Sequence, residues 1–219
     1  MANSEWRRGS QMKTIHCLFW LIVILGLSLL TACANSGGTS WSDDFSDPGS
    51  GWQTESDASA EVAYHEGTLR VLIQAPNRLA WAWAEREMSN FHLTVEASQV
   101  AGPDDNEYGV LVHMQDPQHF YQFSISGDGY YLIGKYDGDT WEPLSGDDWA
   151  ISEAIHQGNA TNKLEIQCQG SQMTFWVNGV QLATVQDDKY SRGDIGLYAG
   201  SFFEPGVEIR FDNLLVEIP

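Results

Sequence analysis

The run Phe91-His-Leu-Thr-Val-Glu-Ala-Ser-Gln-Val100 alternates without a break. Phe91, Leu93, Val95 and Ala97 fall on one side, and His92, Thr94, Glu96 and Ser98 fall on the other. Successive side chains of an extended strand point to opposite faces, so this is a strand with one face in a core and one in solvent. The pattern recurs on both sides of it. Upstream lie Thr68 to Gln74 and Leu79 to Glu85, parted by Pro76-Asn77; downstream lie Tyr108 to Gln115, Phe120 to Ser126 and Tyr130 to Tyr136. Asn162 to Cys168, Met173 to Asn178 and Val180 to Gln186 form a meander, and Gly193 to Gly200 and Val207 to Ile218 close it. Gly127-Asp-Gly129 and Asn178-Gly179 supply hairpin turns. Only Trp149 to His156 offers a helical turn or two. Many short strands with almost no helix predict an all-β antiparallel sandwich, a single domain from Trp41 to Pro219.

Composition narrows the function. The 219 residues carry 11 Lys+Arg against 30 Asp+Glu, a formal net charge of −19. That excludes nucleic acid and anionic membrane surfaces as electrostatic partners, since both need a basic patch. With 42% hydrophobic and 19% charged residues the chain is not an acidic disordered tail. Three cysteines do not make a disulfide scaffold. Cys168 shares a strand face with Leu164 and Ile166 and reads as a buried free thiol.

The N-terminus reads as an address. Arg7, Arg8 and Lys13 precede the apolar run Cys17 to Leu30, which is shorter than the ~20 residues that span a bilayer. A basic segment, a short apolar segment and then small residues describe a secretory signal peptide. Its end, Leu30-Thr-Ala-Cys33, resembles the lipobox of bacterial lipoproteins. The resemblance implies cleavage after Ala32, lipidation of Cys33 and a membrane contact through that lipid alone. Residues 1–32 are then the signal peptide, and 33–40 are the lipidated cysteine with a flexible tether. Ala34 lacks the aspartate that retains many such proteins at the inner membrane. The expected location is therefore the cell envelope, facing outward, on the outer membrane where a cell has two.

Within the domain, Trp41-Ser-Asp-Asp-Phe45 with Gly51-Trp52 is similar to the first strand of concanavalin A-like jelly rolls. Asn162 to Ile166, Phe175 to Gly179, Gly193 to Leu197 and Val207 to Leu214 resemble that superfamily's closing strands, in order. The nearest branches are the laminin-G-like and 3-keto-disaccharide-hydrolase-like ones. The resemblance implies a concave sheet on which sugars lie, and in many members a structural calcium ion. Asp44 and Asp212 stand where such a Ca²⁺ would be held between the first and last strands.

Aromatic platforms beside amide, imidazole and carboxylate groups suit a sugar's C–H faces and hydroxyl rim. The candidates are Trp81 and Trp83, His92, Glu96, His113, Gln122 and Tyr131, with Lys135 as an extension. Family-16 glycosidases carry Glu-x-Asp-x-x-Glu. The nearest stretch, Glu55-Ser-Asp57-Ala-Ser-Ala60, lacks the second glutamate that retaining chemistry needs. No catalytic set is assigned, Glu96 with His113 being the weak pairing left. The reading is a lipid-anchored module that binds carbohydrate without turnover. The alternatives are a glycoside hydrolase-like enzyme for a di- or oligosaccharide, or a protein-interaction or envelope-structural domain whose aromatics are all core.

Overall fold

A computed structural model describes residues 39–219, and the signal peptide, Cys33 and Ala34 to Gly38 of the tether lie outside them. Fifteen strands run along the chain. They are β1 (Thr39–Asp43), β2 (Ala60–His65), β3 (Thr68–Ile73), β4 (Arg78–Trp83) and β5 (Phe91–Ala101). Next come β6 (Asn106–Asp116), β7 (His119–Ile125), β8 (Tyr130–Asp137), β9 (Thr140–Pro143) and β10 (Ala150–Ile151). The last five are β11 (Thr161–Gln169), β12 (Gln172–Val177), β13 (Val180–Gln186), β14 (Asp194–Ser201) and β15 (Val207–Ile218). No helix occurs among the described residues, so none there crosses a membrane. The helical turn expected near Trp149 is instead the short β10 and a turn, because Ala150 and Ile151 pair with Tyr131 and Tyr130.

The strands form two antiparallel sheets. The eight-stranded sheet runs β13-β12-β11-β5-β15-β3-β2, with β1 also on β15. The seven-stranded sheet runs β10-β8-β7-β6-β14-β4, with β9 on β8. β5 is central in the first, between β11 and β15, and its alternation sets the register. Leu93 lies opposite Ile166 and Val216, and Ala97 lies opposite Phe211. Phe91, Leu93, Val95 and Ala97 are buried against Phe123, Phe175 and Ile133 from the two sheets. Each large side chain so buried contributes about 1.5–3 kcal/mol, and this layer holds the sandwich together.

Two departures from strict alternation matter for the site. β6 loses register with β7 between Val112 and Asp116, and with β14 between Asp194 and Gly196. His113 sits in that bulge with a φ of 50°. The extra residue turns its ring inward, edge-on to Phe91 and Tyr121, although Val112 before it also points inward. At the N-terminal side, β1 begins at Thr39, inside the segment read as tether, and Thr39 and Ser40 pair with Ile218 and Glu217. Asp43 ends that strand buried, accepting from Phe45 N at 2.8 Å and Trp52 Nε1 at 3.0 Å.

Candidate functional site

The sequence offers Trp81, Trp83, His92, Glu96, His113, Gln122 and Tyr131 as ligand candidates, and the topology divides them. β4 and β7 belong to the seven-stranded sheet, and Trp81, Trp83 and Gln122 share its outer face. β5 belongs to the other sheet. His92 and Glu96 therefore lie on the opposite surface of the sandwich, where His92 bonds Glu165 at 2.8 Å and Glu96 takes a hydrogen bond from Asn213 Nδ2 at 2.9 Å. His113 is interior. Its Nδ1 and Nε2 face the carbonyl oxygens of Tyr190 and Ser89 at 2.9 and 2.8 Å, and burial pushes its pKa below the usual histidine value despite those contacts. Tyr131 packs against the core and donates its hydroxyl to Leu182 O at 3.1 Å. Lys135 is also turned in, bonding Asp187 at 2.6 Å and Glu142 at 2.9 Å. Glu96 and His113 thus never meet, and no catalytic pairing forms between them.

The outer face of the seven-stranded sheet is built from alternate residues of five neighbouring strands. In β4 the small Ala80 and Ala82 go into the core, which leaves Leu79, Trp81 and Trp83 outside. Tyr198 of β14 lies directly opposite Trp81, and Leu111 of β6 follows on the same face. β7 adds Phe120, Gln122 and Ser124, and β8 adds Leu132 and Tyr136. Glycine recurs on this face at Gly109, Gly134, Gly196 and Gly200, and large side chains lie over the bare backbone it leaves. The indole of Trp141 occupies the space a Cβ of Gly134 would take, and the Tyr198 ring lies 3.3 Å from a Cβ built on Gly109. Phe120 sits 6.3 Å from Trp81 and 5.0 Å from Tyr136 between ring centroids. The result is an aromatic surface with half-buried Trp81, Trp83 and Tyr136 over buried Phe120, Leu111 and Tyr198.

A polar chain crosses this surface. Gln122 Nε2 donates to Glu107 Oε2 at 2.7 Å and to Tyr198 Oη at 2.9 Å, and Tyr198 donates to Ser124 Oγ at 2.5 Å. Gln122 Oε1 is buried and has no partner. Glu107 is held among these side chains with no cation paired to it among the described residues. Burial raises its pKa to about 7, against the smaller opposing effect of the Gln122 hydrogen bond. Burial likewise pushes the Tyr198 phenol far above its ordinary value. Among the outward positions of β4, β14, β6, β7 and β8 named here, Glu107 is the one carboxylate. Beyond it, at the end of the face, Asp105, Asp128 and Asp148 line a 250 Å³ depression with Ser126, Tyr130, Trp149 and Phe202.

Glu107 and Tyr198 escaped the sequence reading. Glu107 alternates against Tyr108 and Val110 and was open to the parity rule, had the strand been started one residue earlier. Tyr198 was not, because Gly196-Leu-Tyr-Ala-Gly200 is apolar on both faces.

The proposed calcium position can be judged by its donors. β1 brings Asp43 opposite Leu214 of β15, and Asp44 lines a depression there with Asn213, Leu214 and Leu215. Asp44 Oδ1 is taken by Ser46 N and Oγ at 3.1 and 2.6 Å, which lowers its pKa, and Asp212 Oδ1 by Asn213 N at 2.7 Å. Among the described residues no three His, Cys, Asp or Glu converge as a metal site. Ca²⁺ takes 6–8 oxygens, so Asp44 and Asp212 would need backbone carbonyls to complete its shell, and no step below runs through it.

The chain is similar in fold to several solved structures. It matches the carbohydrate-binding module CBM66 from Bacillus subtilis at TM-score 0.62 and 13% identity, covering 77% of this chain and 96% of that one. It matches a Bacillus subtilis protein of unknown function with a galectin-like fold at 0.62 and 9%, covering 83% and 98%. A Bacillus licheniformis beta-glucanase matches at 0.61 and 12%, covering 84% and 99%. These likenesses establish a concanavalin A-like jelly roll. Among curated proteins no sequence matches. Residues 40–217, nearly the whole described sandwich, match one family over their full length, and the chain belongs to the 3-keto-alpha-glucoside-1,2-lyase-like domain family.

Proposed function

We propose that the outer face of the seven-stranded sheet binds a carbohydrate, and that the protein is a lipid-anchored envelope module displaying that face. The observation that carries this reading is the pairing of Trp81 and Trp83 with the Glu107–Gln122–Tyr198–Ser124 chain on one surface. Indole rings match the C–H faces of a pyranose, and the polar chain matches its hydroxyls. The fold neighbours that bind or cleave glycans lend it weight as analogy.

Binding without turnover fits the carboxylate arrangement. Glycosidase chemistry of either stereochemical outcome uses two carboxylates, and no second carboxylate is hydrogen-bonded into the Glu107–Gln122–Tyr198–Ser124 chain among the described residues. The test is a glycan-array screen of the wild-type chain and of a Trp81→Ala/Trp83→Ala double variant that still folds. Saturable binding lost in the double variant supports the reading. Equal binding by both proteins removes the platform from it.

Anchoring rests on Leu30-Thr-Ala-Cys33 and is tested separately. A Cys33→Ser variant should lose its lipid by mass spectrometry and leave the membrane fraction. Retention in that fraction overturns the anchor.

One observation favours a second reading, that of a lyase. A ketone at C3 of a glucoside acidifies the C2 hydrogen. A base takes that proton, the electron pair forms the C1–C2 double bond, and the C1–O bond breaks with the leaving alcohol taking a proton. Such a base works best with a pKa near neutrality, which burial gives Glu107. Glu107→Gln then abolishes turnover of a 3-keto-glucoside, followed as release of the leaving alcohol. Absence of turnover by the wild type dismisses this second reading.

A further inference from the structure

The polar chain on the outer face can hold its protons in two ways without moving a heavy atom. In the first, Glu107 is ionised. Both amide hydrogens of Gln122 are then used, one on Glu107 Oε2 at 2.7 Å and one on Tyr198 Oη at 2.9 Å, and Tyr198 gives its proton to Ser124 Oγ at 2.5 Å. Gln122 Oε1 is the atom left over, although Gln122 is only 3% exposed. In the second, Glu107 is protonated and the amide is turned over. The carbonyl oxygen then accepts from Glu107 and from Tyr198, Ser124 gives its proton to Tyr198, and the NH₂ group is left over. The oxygen and nitrogen of an amide occupy nearly the same positions, so the network alone decides between these arrangements.

We propose that the protonation of Glu107 sets which end of the Gln122 amide is paired and which is left over within this face. In neither arrangement can the protein satisfy all of the amide by itself: the carbonyl oxygen is left over when Glu107 is ionised, and the NH₂ group when it is protonated. The proton arrangement is a property of the free protein and stands apart from the carbohydrate reading.

The surroundings permit the exchange. The groups around Glu107 are Gln122 and Ser124 from β7, Tyr198 from β14, Tyr136 from β8 and the aliphatic Leu79 from β4. Both phenols stay neutral, and no Lys, Arg or His pairs with Glu107 to lock it ionised among the described residues. Its pKa of about 7 places both arrangements within the physiological range. The amide nitrogen reaches towards β6 and β14. On the β8 side Gly134 lies opposite Gln122 and has no side chain, and the Trp141 ring from the exposed β9 rests on that glycine.

The test needs no ligand. The full chain in detergent micelles, labelled with ¹³C at the glutamate carboxyl carbons and ¹⁵N at the glutamine side chains, is titrated by NMR from acid to alkaline pH. The expected result is a Glu107 carboxyl signal and a Gln122 NH₂ pair that shift together with one midpoint near neutrality. In a Glu107→Gln variant, shown folded by its remaining spectrum, the Gln122 pair no longer shifts. Titration of Glu107 with an unmoved Gln122 pair overturns the proposal, as does titration of Glu107 in the ordinary carboxylate range. Co-titration in a protein that binds no glycan on the array would leave the switch standing and bring down the carbohydrate reading.

Discussion

Half-buried Glu107 and buried His113 make stability depend on pH in opposite senses. Glu107 goes from an ordinary carboxylate value of 4.5 to about 7 in the folded chain. Between those values the folded state holds a proton that the unfolded state has lost, so stability falls as pH rises through the window and levels off above it. At 1.36 kcal/mol per pKa unit the loss across the whole window is about 3 kcal/mol. Urea unfolding at pH 5 and pH 8 should show it in the wild type and show it flattened in Glu107→Gln. His113 works the other way. Its folded pKa lies below 6.5, so its contribution is complete above 6.5 and is lost as pH falls and the unfolded state takes up the proton. His113→Ala should remove that acid-side loss and cost about 2–4 kcal/mol at pH 8, measured by the same unfolding curves.

Trp141 on β9 shows how one missing side chain shapes an element. Its indole fills the space above Gly134, so a methyl group there would displace the ring. Gly134→Ala should destabilise the fold by about 1–3 kcal/mol and expose Trp141, read as a red shift in tryptophan emission. At this scale the sequence was readable wherever period two held. The buried residues of β5 and β11 alternate as the letters say, and so do Phe123 and Gln122 on β7, whereas β15 alternates only as far as Phe211, beyond which a bulge at Asn213 moves the buried positions to Leu214 and Val216. It was not readable at β6, where one bulge residue turns His113 inward against the parity of its strand. Nor does period two say which sheet a strand joins. β4 and β5 are neighbours in sequence, yet they lie in different sheets, and so Trp81 and His92 end on opposite surfaces. That choice depends on partners more than a hundred residues away, Tyr198 for Trp81 and Glu217 for His92.

Over the whole molecule the formal charge of −19 is a repulsion that folding must overcome. Raising salt from about 20 to 200 mM shortens the screening length and should raise Tm by roughly 2–5 °C, checked by calorimetry at fixed pH. The jelly-roll resemblance was legible because it rests on local letters in a fixed order, whereas the aromatic face emerged only from long-range pairing. The pairing of β1 with β15 reaches further. Thr39 lies opposite Ile218, so the two ends of the sandwich are strands already hydrogen-bonded to one another. A short glycine-rich bridge from Pro219 back to Thr39 would close the chain into a ring without moving either strand. The ring could then be cut at the Asn178-Gly179 turn, far from both ends in sequence. Chain order is thus incidental to this architecture, and a permuted protein of that design should present the same aromatic face.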